Sequence, residues 1–196
     1  MIRQLSQKWV SAIAPPDADE DRLAVCAYGL ELAMSTLLST ACLITIGFLA
    51  GKPAEAAVIV GIFYTLQTVG GGYHADTHLK CLVTMMIGLT ACLVLIPCIS
   101  FSGALCIHIL SFLYLWANPV SPHENKKHLL NDKRRLVRRS RRCTIVVFSA
   151  CLILTCLTTL GGAAALGIAM AAASRAAGII KGSHPTPRSS SGSSRP

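Results

Sequence analysis

The sequence predicts an all-α integral membrane protein of about six transmembrane helices, preceded by an amphipathic helix that lies in the interface. Of its 196 residues, 53% are hydrophobic and only 14% are charged, and the mean hydropathy is +0.56. Soluble domains carry about a quarter charged residues, so a soluble fold of this composition would leave a large apolar surface in water. The apolar residues are also grouped into runs close to the length that crosses a bilayer.

The N-terminal segment, residues 1–14, has the pattern of an amphipathic helix. Ile2, Leu5 and Trp9 fall close to one helical face, whereas Lys8 projects elsewhere. Such a helix lies in the membrane interface rather than crossing it. The sequence PPDADED ends it. This start of the chain holds no uninterrupted apolar core followed by a cleavage site, so no signal peptide is expected.

Four apolar segments follow, and each is interpreted as a transmembrane span. Glu31, near the start of the first, must lie at the interface or against a partner, because a charge in lipid is costly. The second is short for a complete crossing, so the polar residues after it begin within the headgroup zone. The four spans are expected at about residues 26–50, 55–69, 79–100 and 103–117.

Two more spans are predicted after a basic segment, at about residues 143–160 and 163–180. The second of them is rich in alanine, less apolar than the others, and contains Arg175. It can therefore cross the membrane, dip in and return, or lie in the interface. Residues 1–181 are expected to form one membrane-embedded domain, and the Ser- and Pro-rich tail, residues 182–196, is expected to be disordered.

The positive charge of the chain is concentrated in one place. The net charge is +9, and half of the 18 Lys and Arg lie between His123 and Arg142. Between apolar segments such a run indicates a cytoplasmic loop facing anionic lipid headgroups, and no nucleic-acid partner is expected. Because the inverted orientation would require translocating this basic loop, the N-terminus, the turn at residues 70–80 and the loop itself are all expected on the cytoplasmic side.

The nine cysteines include one in an unusual setting. Most lie within apolar runs, where a thiol behaves as a small hydrophobe, and no CxxC pair occurs, so no disulfide is expected. Cys81 alone has polar neighbours, in VGGGYHADTHLKC, Val69–Cys81. That cluster is either a polar turn, for which glycine permits φ > 0, or a site where a histidine deprotonates the thiol.

Two histidines can serve as that base. His74 is seven residues from Cys81, about 10 Å along an unbroken helix, so the two pair only if the chain bends between them. His78 is the alternative, because an i, i+3 spacing brings it beside Cys81 on a helix. Together with Asp76 these residues can also ligate a metal, but HADTH carries Ala75 where HExxH zinc proteases carry their glutamate. No metal or cofactor is predicted.

A metal-binding protein and a small transporter are two interpretations of the sequence that need no reactive thiol. A transporter would place ionisable residues within the spans. Besides Glu31 and Arg175, which lie towards span ends, only His108 is obvious.

The segment GGYHADTHLKC resembles the motif of the accessory gene regulator protein B family, membrane cysteine peptidases that process an autoinducing-peptide precursor in Gram-positive quorum sensing. ANPVSPHENKKHL, Ala117–Leu129, is similar to the proline-containing junction before that family's basic loop. The resemblance covers about residues 1–181. Many members carry an arginine some six residues before the histidine, where this chain has Thr68, preceded by Gln67. The matching motif residues are Gly71, Gly72, Tyr73, His74, Ala75 and Cys81.

The resemblance implies a membrane thiol endopeptidase in the cell membrane of a Gram-positive bacterium, with its active site on the cytoplasmic side. It implies that Cys81 is the nucleophile and His74 its base. The implied reaction is cleavage on the C-terminal side of the future signal through an acyl-enzyme thioester, followed by (thio)lactone formation. The residues expected to support the catalytic loop are Gly71, Gly72, Asp76 and His78.

The implied substrate is a short amphipathic pro-signal peptide with an acidic C-terminal segment. The basic loop is the candidate contact for that segment, although topology determination and attraction to anionic lipids explain the same charges. A second copy of the chain, in a homodimer, is a further candidate partner. The predicted substrate-binding residues are Lys126, Lys127, Arg134, Arg135, Arg138 and Arg139.

Overall fold

The protein is all-helical where the structure, a computed structural model, describes it, namely over residues 2–13, 19–73, 75, 77–121 and 133–183. Seven α-helices and one 3₁₀ turn, Ile96–Cys98, follow one another in these ranges, and no strand occurs within them. The α-helices are α1 (Ile2–Ile13), α2 (Glu20–Leu49), α3 (Pro53–Gly70), α4 (His78–Leu95), α5 (Phe101–Ala117), α6 (Lys133–Leu157) and α7 (Gly161–Ser183).

The first helix, α1, confirms the predicted amphipathic helix and packs along α2. Its polar Ser6 is buried, whereas the apolar side chains of Leu5, Trp9 and Ile13 stay exposed. An exposed apolar face is what a helix needs to enter the headgroup region of a membrane.

Four helical segments are long and apolar enough, by length and composition, to cross a membrane, and the chain is a multi-pass membrane protein. α5 is a shorter apolar helix of 17 residues, and α3 has 18. The six predicted spans fall on α2 through α7, and of these α3 and α5 are not among the four segments that are long and apolar enough to cross. The four long segments are Arg22–Leu49, Leu79–Cys98, Lys133–Leu157 and Gly161–Lys181.

The alanine-rich helix α7 is central and packs against α3, α4, α5 and α6. All of its residues from Ala163 to Ile168 are buried, and a Cβ on Gly167 would come within 3.1 Å of the Ile59 Cα. Small side chains permit such close contact between helices. The sequence of residues 163–180 is low in hydropathy because α7 needs small side chains to pack against other helices. The helix is nevertheless unbroken.

The basic segment is helical where the structure describes it, although the sequence predicts a loop up to about residue 143. α6 begins at Lys133, and residues 122–132 lie outside the described part of the chain. Arginine is a strong helix former, and residues 133–143 contain no Gly or Pro to stop the helix. Ser140 in this stretch is buried, so the extension packs against the rest of the protein.

Candidate active site

The N-terminus of α4 carries Cys81. Thr77 caps this helix, since its Oγ1 accepts a hydrogen bond from the Lys80 backbone N–H over 3.3 Å. The cap fixes the helix start at His78 and leaves Cys81 at the end of the first turn, where its own N–H donates to the Thr77 carbonyl (3.1 Å). The Cys81 thiol is free and half-buried. Partial exposure leaves the thiol accessible to a reactant.

Gly70, Gly71 and Gly72 are each required for a different structural reason. Gly71 ends α3 with φ of +68°, a conformation that favours glycine. A Cβ on Gly70 would run into the guanidinium of Arg175, and one on Gly72 would run into the side-chain amide of Gln67. The predicted glycine turn is therefore a tightly packed one, and all three glycines are buried.

Helix α7 holds the chain immediately before His74. The Tyr73 backbone N–H donates to the Ser174 carbonyl (2.8 Å) and reaches the Ser174 Oγ at 3.2 Å. The Gln67 side-chain amide donates to the same Oγ over 3.0 Å. The ammonium of Lys181 lies 5.3 Å from the centre of the Tyr73 ring, within the range of a cation–π contact. Tyr73 is thus anchored through both its backbone and its ring.

Arg175, the next residue of α7, is 1% exposed and reaches two segments of the chain. Its Nη2 donates to the Leu66 carbonyl in the last turns of α3 (3.1 Å). Its Nη1 donates to the Asn118 carbonyl (3.2 Å) and to the Pro119 carbonyl (3.1 Å), just after α5. One buried cation therefore ties the end of α3 to the start of the α5–α6 connection.

The connection after α5 is bound to the same loop from its other side. The Ser121 backbone N–H donates to the Gly70 carbonyl over 2.8 Å, and the Ser140 hydroxyl of α6 donates to the Pro119 carbonyl. The ends of α3 and α5, the start of α6 and the last turns of α7 consequently meet at one end of the bundle. The opposite end holds Lys52, whose Nζ donates to the Leu93 carbonyl over 2.8 Å.

The hydroxyl of Tyr64, on α3, is buried. Thr40 of α2 lies next to it, and the Cys81 thiol is within electrostatic range.

Several residues of the predicted site lie outside what the structure describes. They include His74 and Asp76, as well as Lys126 and Lys127 of the basic loop. His78 is the first residue of α4, but its side chain is not described. The choice between His74 and His78 as base therefore stays a prediction. No group of three metal-ligating side chains occurs among the described residues, and three of the four ligands considered for a metal are not among them.

The described part of the basic segment presents its arginines on one side. Successive residues of an α-helix are about 100° apart, so positions 134, 135, 138, 139 and 142 fall within about 140° of each other. All five arginines at these positions are exposed. Ser140 and Thr144, on the other side, are buried. We call these five arginines the arginine face of α6.

Comparison with known proteins identifies the family. The family model described as accessory gene regulator B matches residues 4–174, which is most of the chain. The chain belongs to the accessory gene regulator B family. Comparisons with curated proteins and with solved structures gave no match. Members of the accessory gene regulator B family are membrane proteins involved in processing the peptide signal of quorum sensing.

The sequence does not single out the residues of α7 that hold the motif of the accessory gene regulator B family. Ser174 and Arg175 interrupt a run of alanines, and this interruption is the one signal that marks them. Gln67 and Thr68, which stand near the position of the usual family arginine, have different roles here. Gln67 contacts Ser174, whereas the Thr68 hydroxyl donates to the Tyr64 carbonyl of its own helix (2.7 Å).

His108, the residue that most favours the transporter alternative, is held inside the helix bundle. It is fully buried, and its Nε2 lies 2.9 Å from the Thr155 Oγ1 of α6. The Phe148 ring meets the imidazole edge-on, with centroids 6.4 Å apart. A histidine paired with one hydroxyl and an aromatic ring is typical of a structural contact between two helices.

Proposed function

We propose that the protein is a membrane cysteine endopeptidase that cleaves an autoinducing-peptide precursor, with Cys81 as nucleophile and His74 as base. The family match over residues 4–174, which includes the motif, carries the proposal. The free thiol of Cys81 on a capped helix end supports it, as does the anchoring of Tyr73, the residue before His74.

The proposed reaction begins when His74 takes the thiol proton of Cys81 and the thiolate attacks the carbonyl on the C-terminal side of the future signal. A carbon–sulfur bond forms, the peptide C–N bond breaks, and His74 returns the proton to the leaving amine. The N-terminal fragment of the precursor remains on Cys81 as a thioester.

Ring closure is the second half of the proposed reaction. A cysteine thiol within the bound fragment attacks the thioester and takes over the acyl group, which gives a thiolactone and regenerates the Cys81 thiol. A serine in that place would give a lactone. Water competes for the acyl group, so the enzyme must hold the internal nucleophile close. The closely packed surroundings of Gly70–Tyr73 suit this requirement, because they restrict the space around the motif.

We propose that the end of the bundle that carries the motif faces the cytoplasm of a Gram-positive bacterium. The exposed arginines of α6 lie at the same end as the glycine loop, since Ser140 contacts Pro119 and Ser121 contacts Gly70. Positive residues favour the cytoplasmic side. A ribosomally made precursor would meet the site there.

The arginine face of α6 is the proposed contact for the acidic C-terminal segment of the precursor. Exposed guanidinium groups on one helix side attract an extended acidic peptide and raise its rate of association. Anionic lipids are the competing ligand for the same charges. Of the predicted substrate-binding residues, Arg134, Arg135, Arg138 and Arg139 belong to this face.

The test is cleavage of a co-expressed candidate precursor, a short amphipathic peptide with an internal Cys or Ser and an acidic C-terminal segment. The variants are Cys81→Ala, His74→Ala and His78→Ala. Cys98→Ala is the matched control, because its thiol is exposed in the 3₁₀ turn that follows the far end of α4. Membrane levels of each variant are measured. We expect cleavage to be lost in the first two and kept in the last two. Full cleavage by Cys81→Ala would refute the proposal, and loss in His78→Ala would reassign the base.

A further inference from the structure

We propose that Arg175 is a positioning residue of this peptidase, which holds Gly70–Tyr73 in the conformation that presents His74 to Cys81. The inference rests on the proposed function. It goes further because it assigns a role to a residue outside the motif, more than 90 positions along the chain from Cys81.

The guanidinium of Arg175 is buried with backbone carbonyls as its partners. Moving a cation out of water costs several kcal/mol unless dipoles or opposite charges compensate. Here the compensation is three carbonyl oxygens, those of Leu66, Asn118 and Pro119. The Leu66 carbonyl lies near the C-terminus of α3, where the helix dipole favours a cation. A purely structural contact between these helices would be met at lower cost by an apolar side chain.

Arg175 and its neighbour Ser174 contact the two ends of the Gly70–Tyr73 loop. Its guanidinium fills the space next to Gly70, where a Cβ would collide with it, and Gly70 also accepts the hydrogen bond of Ser121. Ser174, its neighbour, holds the Tyr73 amide. The chain from Gly70 to Tyr73 is therefore fixed at both of its ends by the same turn of α7.

Few residues separate the anchored Tyr73 from the helix that carries Cys81. Only residues 74–77 connect Tyr73 to α4, which begins at His78 under the cap of Thr77. His74 is the first of these four residues. Releasing Tyr73 from α7 is therefore expected to change where His74 stands relative to the thiol.

Arg175 acts through the loop rather than by its charge on the thiol. The hydrogen-bond acceptors of its guanidinium lie at the end of α3 and just after α5, at Leu66, Asn118 and Pro119. The proposed role is therefore one of positioning, and the loss of Arg175 should reach Cys81 through the loop and His74.

The experiment measures alkylation of Cys81 by iodoacetamide at pH 7 in the full-length protein in detergent, resolved by peptide mass spectrometry. The variants are His74→Ala, Arg175→Met, Arg175→Lys and the double variant His74→Ala with Arg175→Met. Thr155→Val is the matched control, because it removes a buried polar contact between other helices. Protection of the buried Cys92 and Cys151 in the same samples monitors folding, and labelling of the exposed Cys98 checks the reagent.

An unassisted thiol is ionised to about 3% at pH 7, and a base raises that fraction, while the lower nucleophilicity of a more acidic thiol offsets part of the gain. We expect His74→Ala and Arg175→Met each to slow Cys81 labelling about 3- to 10-fold. The double variant should be no slower than His74→Ala alone, since both substitutions abolish the same interaction, that of His74 with Cys81. Arg175→Lys should fall between, because its single nitrogen cannot occupy the places of both Nη1 and Nη2. Thr155→Val should label Cys81 at the wild-type rate.

Two results would overturn the positioning role. One is labelling of Cys81 at the wild-type rate in both Arg175 variants. The other is a double variant slowed by the product of the two single effects, which would show that Arg175 acts independently of His74. A wild-type rate in His74→Ala is a separate outcome: it would refute the proposed thiol–imidazole pair itself, and the role of Arg175 with it.

Discussion

The contact between α7 and the loop at Gly70–Tyr73 can be tested by substituting Gly178, because alanine there adds a single carbon atom. A Cβ at this residue would lie 2.7 Å from the Gly72 carbonyl carbon, 2.8 Å from the Gly72 oxygen and 2.7 Å from the Ser121 Oγ. Two of these three atoms belong to the backbone, which cannot rotate away as a side chain does. Gly178→Ala therefore forces α7 and the loop apart by several tenths of an ångström.

The size of the effect follows from two opposing contributions. Overpacking a tight contact costs about 1–3 kcal/mol, and replacing glycine by alanine inside a helix returns about 0.5–1 kcal/mol. The net loss is about 0–2.5 kcal/mol, with a midpoint near 1 kcal/mol. In a chain of this length each kcal/mol lowers Tm by about 2–4 °C, so Gly178→Ala should unfold several degrees below the wild type.

Gly61→Ala is the matched control. Gly61 also lies inside a helix, α3, but nothing is within 4 Å of its added Cβ. Its Tm should stay the same or rise slightly. The assays are thermal unfolding in detergent and cleavage of a co-expressed precursor, in which Gly178→Ala should lose activity and Gly61→Ala should keep it. If Gly178→Ala matched Gly61→Ala in both, α7 would not pack on the loop at the distance described.

Three further predictions concern substrate binding, helix packing and metal dependence. Replacing Arg134, Arg135, Arg138 and Arg139 by Gln should raise KM for the precursor about 10-fold at low salt and less at high salt, and an unchanged KM in a steady-state assay would exclude this face as the substrate contact. Thr155→Val should lower the free energy of unfolding by about 1–3 kcal/mol, because it leaves His108 without its hydroxyl partner, and a thermal melt indistinguishable from wild type would contradict that pairing. EDTA should leave precursor cleavage unchanged while iodoacetamide abolishes it, and the reverse pattern would favour the metal alternative.

The helices could be predicted from sequence because apolar run length and turn residues determine them locally. The amphipathic pattern of α1 predicts both of its ends to within one residue, and the apolar run of α2 predicts its C-terminal end equally well, whereas α2 begins at Glu20, six residues before the predicted start. The start of α6 was predicted too late, since the pattern treats a charged segment as a loop. Arg134 and its neighbours instead continue the helix into the aqueous zone, where exposed charges cost nothing.

The surroundings of the site could not be predicted, because they depend on contacts between distant parts of the chain. Hydropathy counts Arg175 as a cost in lipid and cannot show that carbonyls 56 to 109 residues away accept its hydrogen bonds. The alanines of α7 lower its hydropathy, but their small size is what lets the helix occupy the centre of the bundle. The glycine turn was predicted, whereas the reasons for Gly70 and Gly72 lie in side chains that meet them only after folding.

The most direct test of the central claim is a search for the acyl-enzyme. Purified full-length protein would be mixed with a candidate precursor, quenched in acid, and its intact and peptide masses measured. If Cys81 is the nucleophile, it will carry an adduct with the mass of the N-terminal precursor fragment less water. Hydroxylamine will remove this adduct, as it does a thioester, and Cys81→Ala will not form it. Cleavage that continues in Cys81→Ala, or an adduct on any other residue, would contradict it.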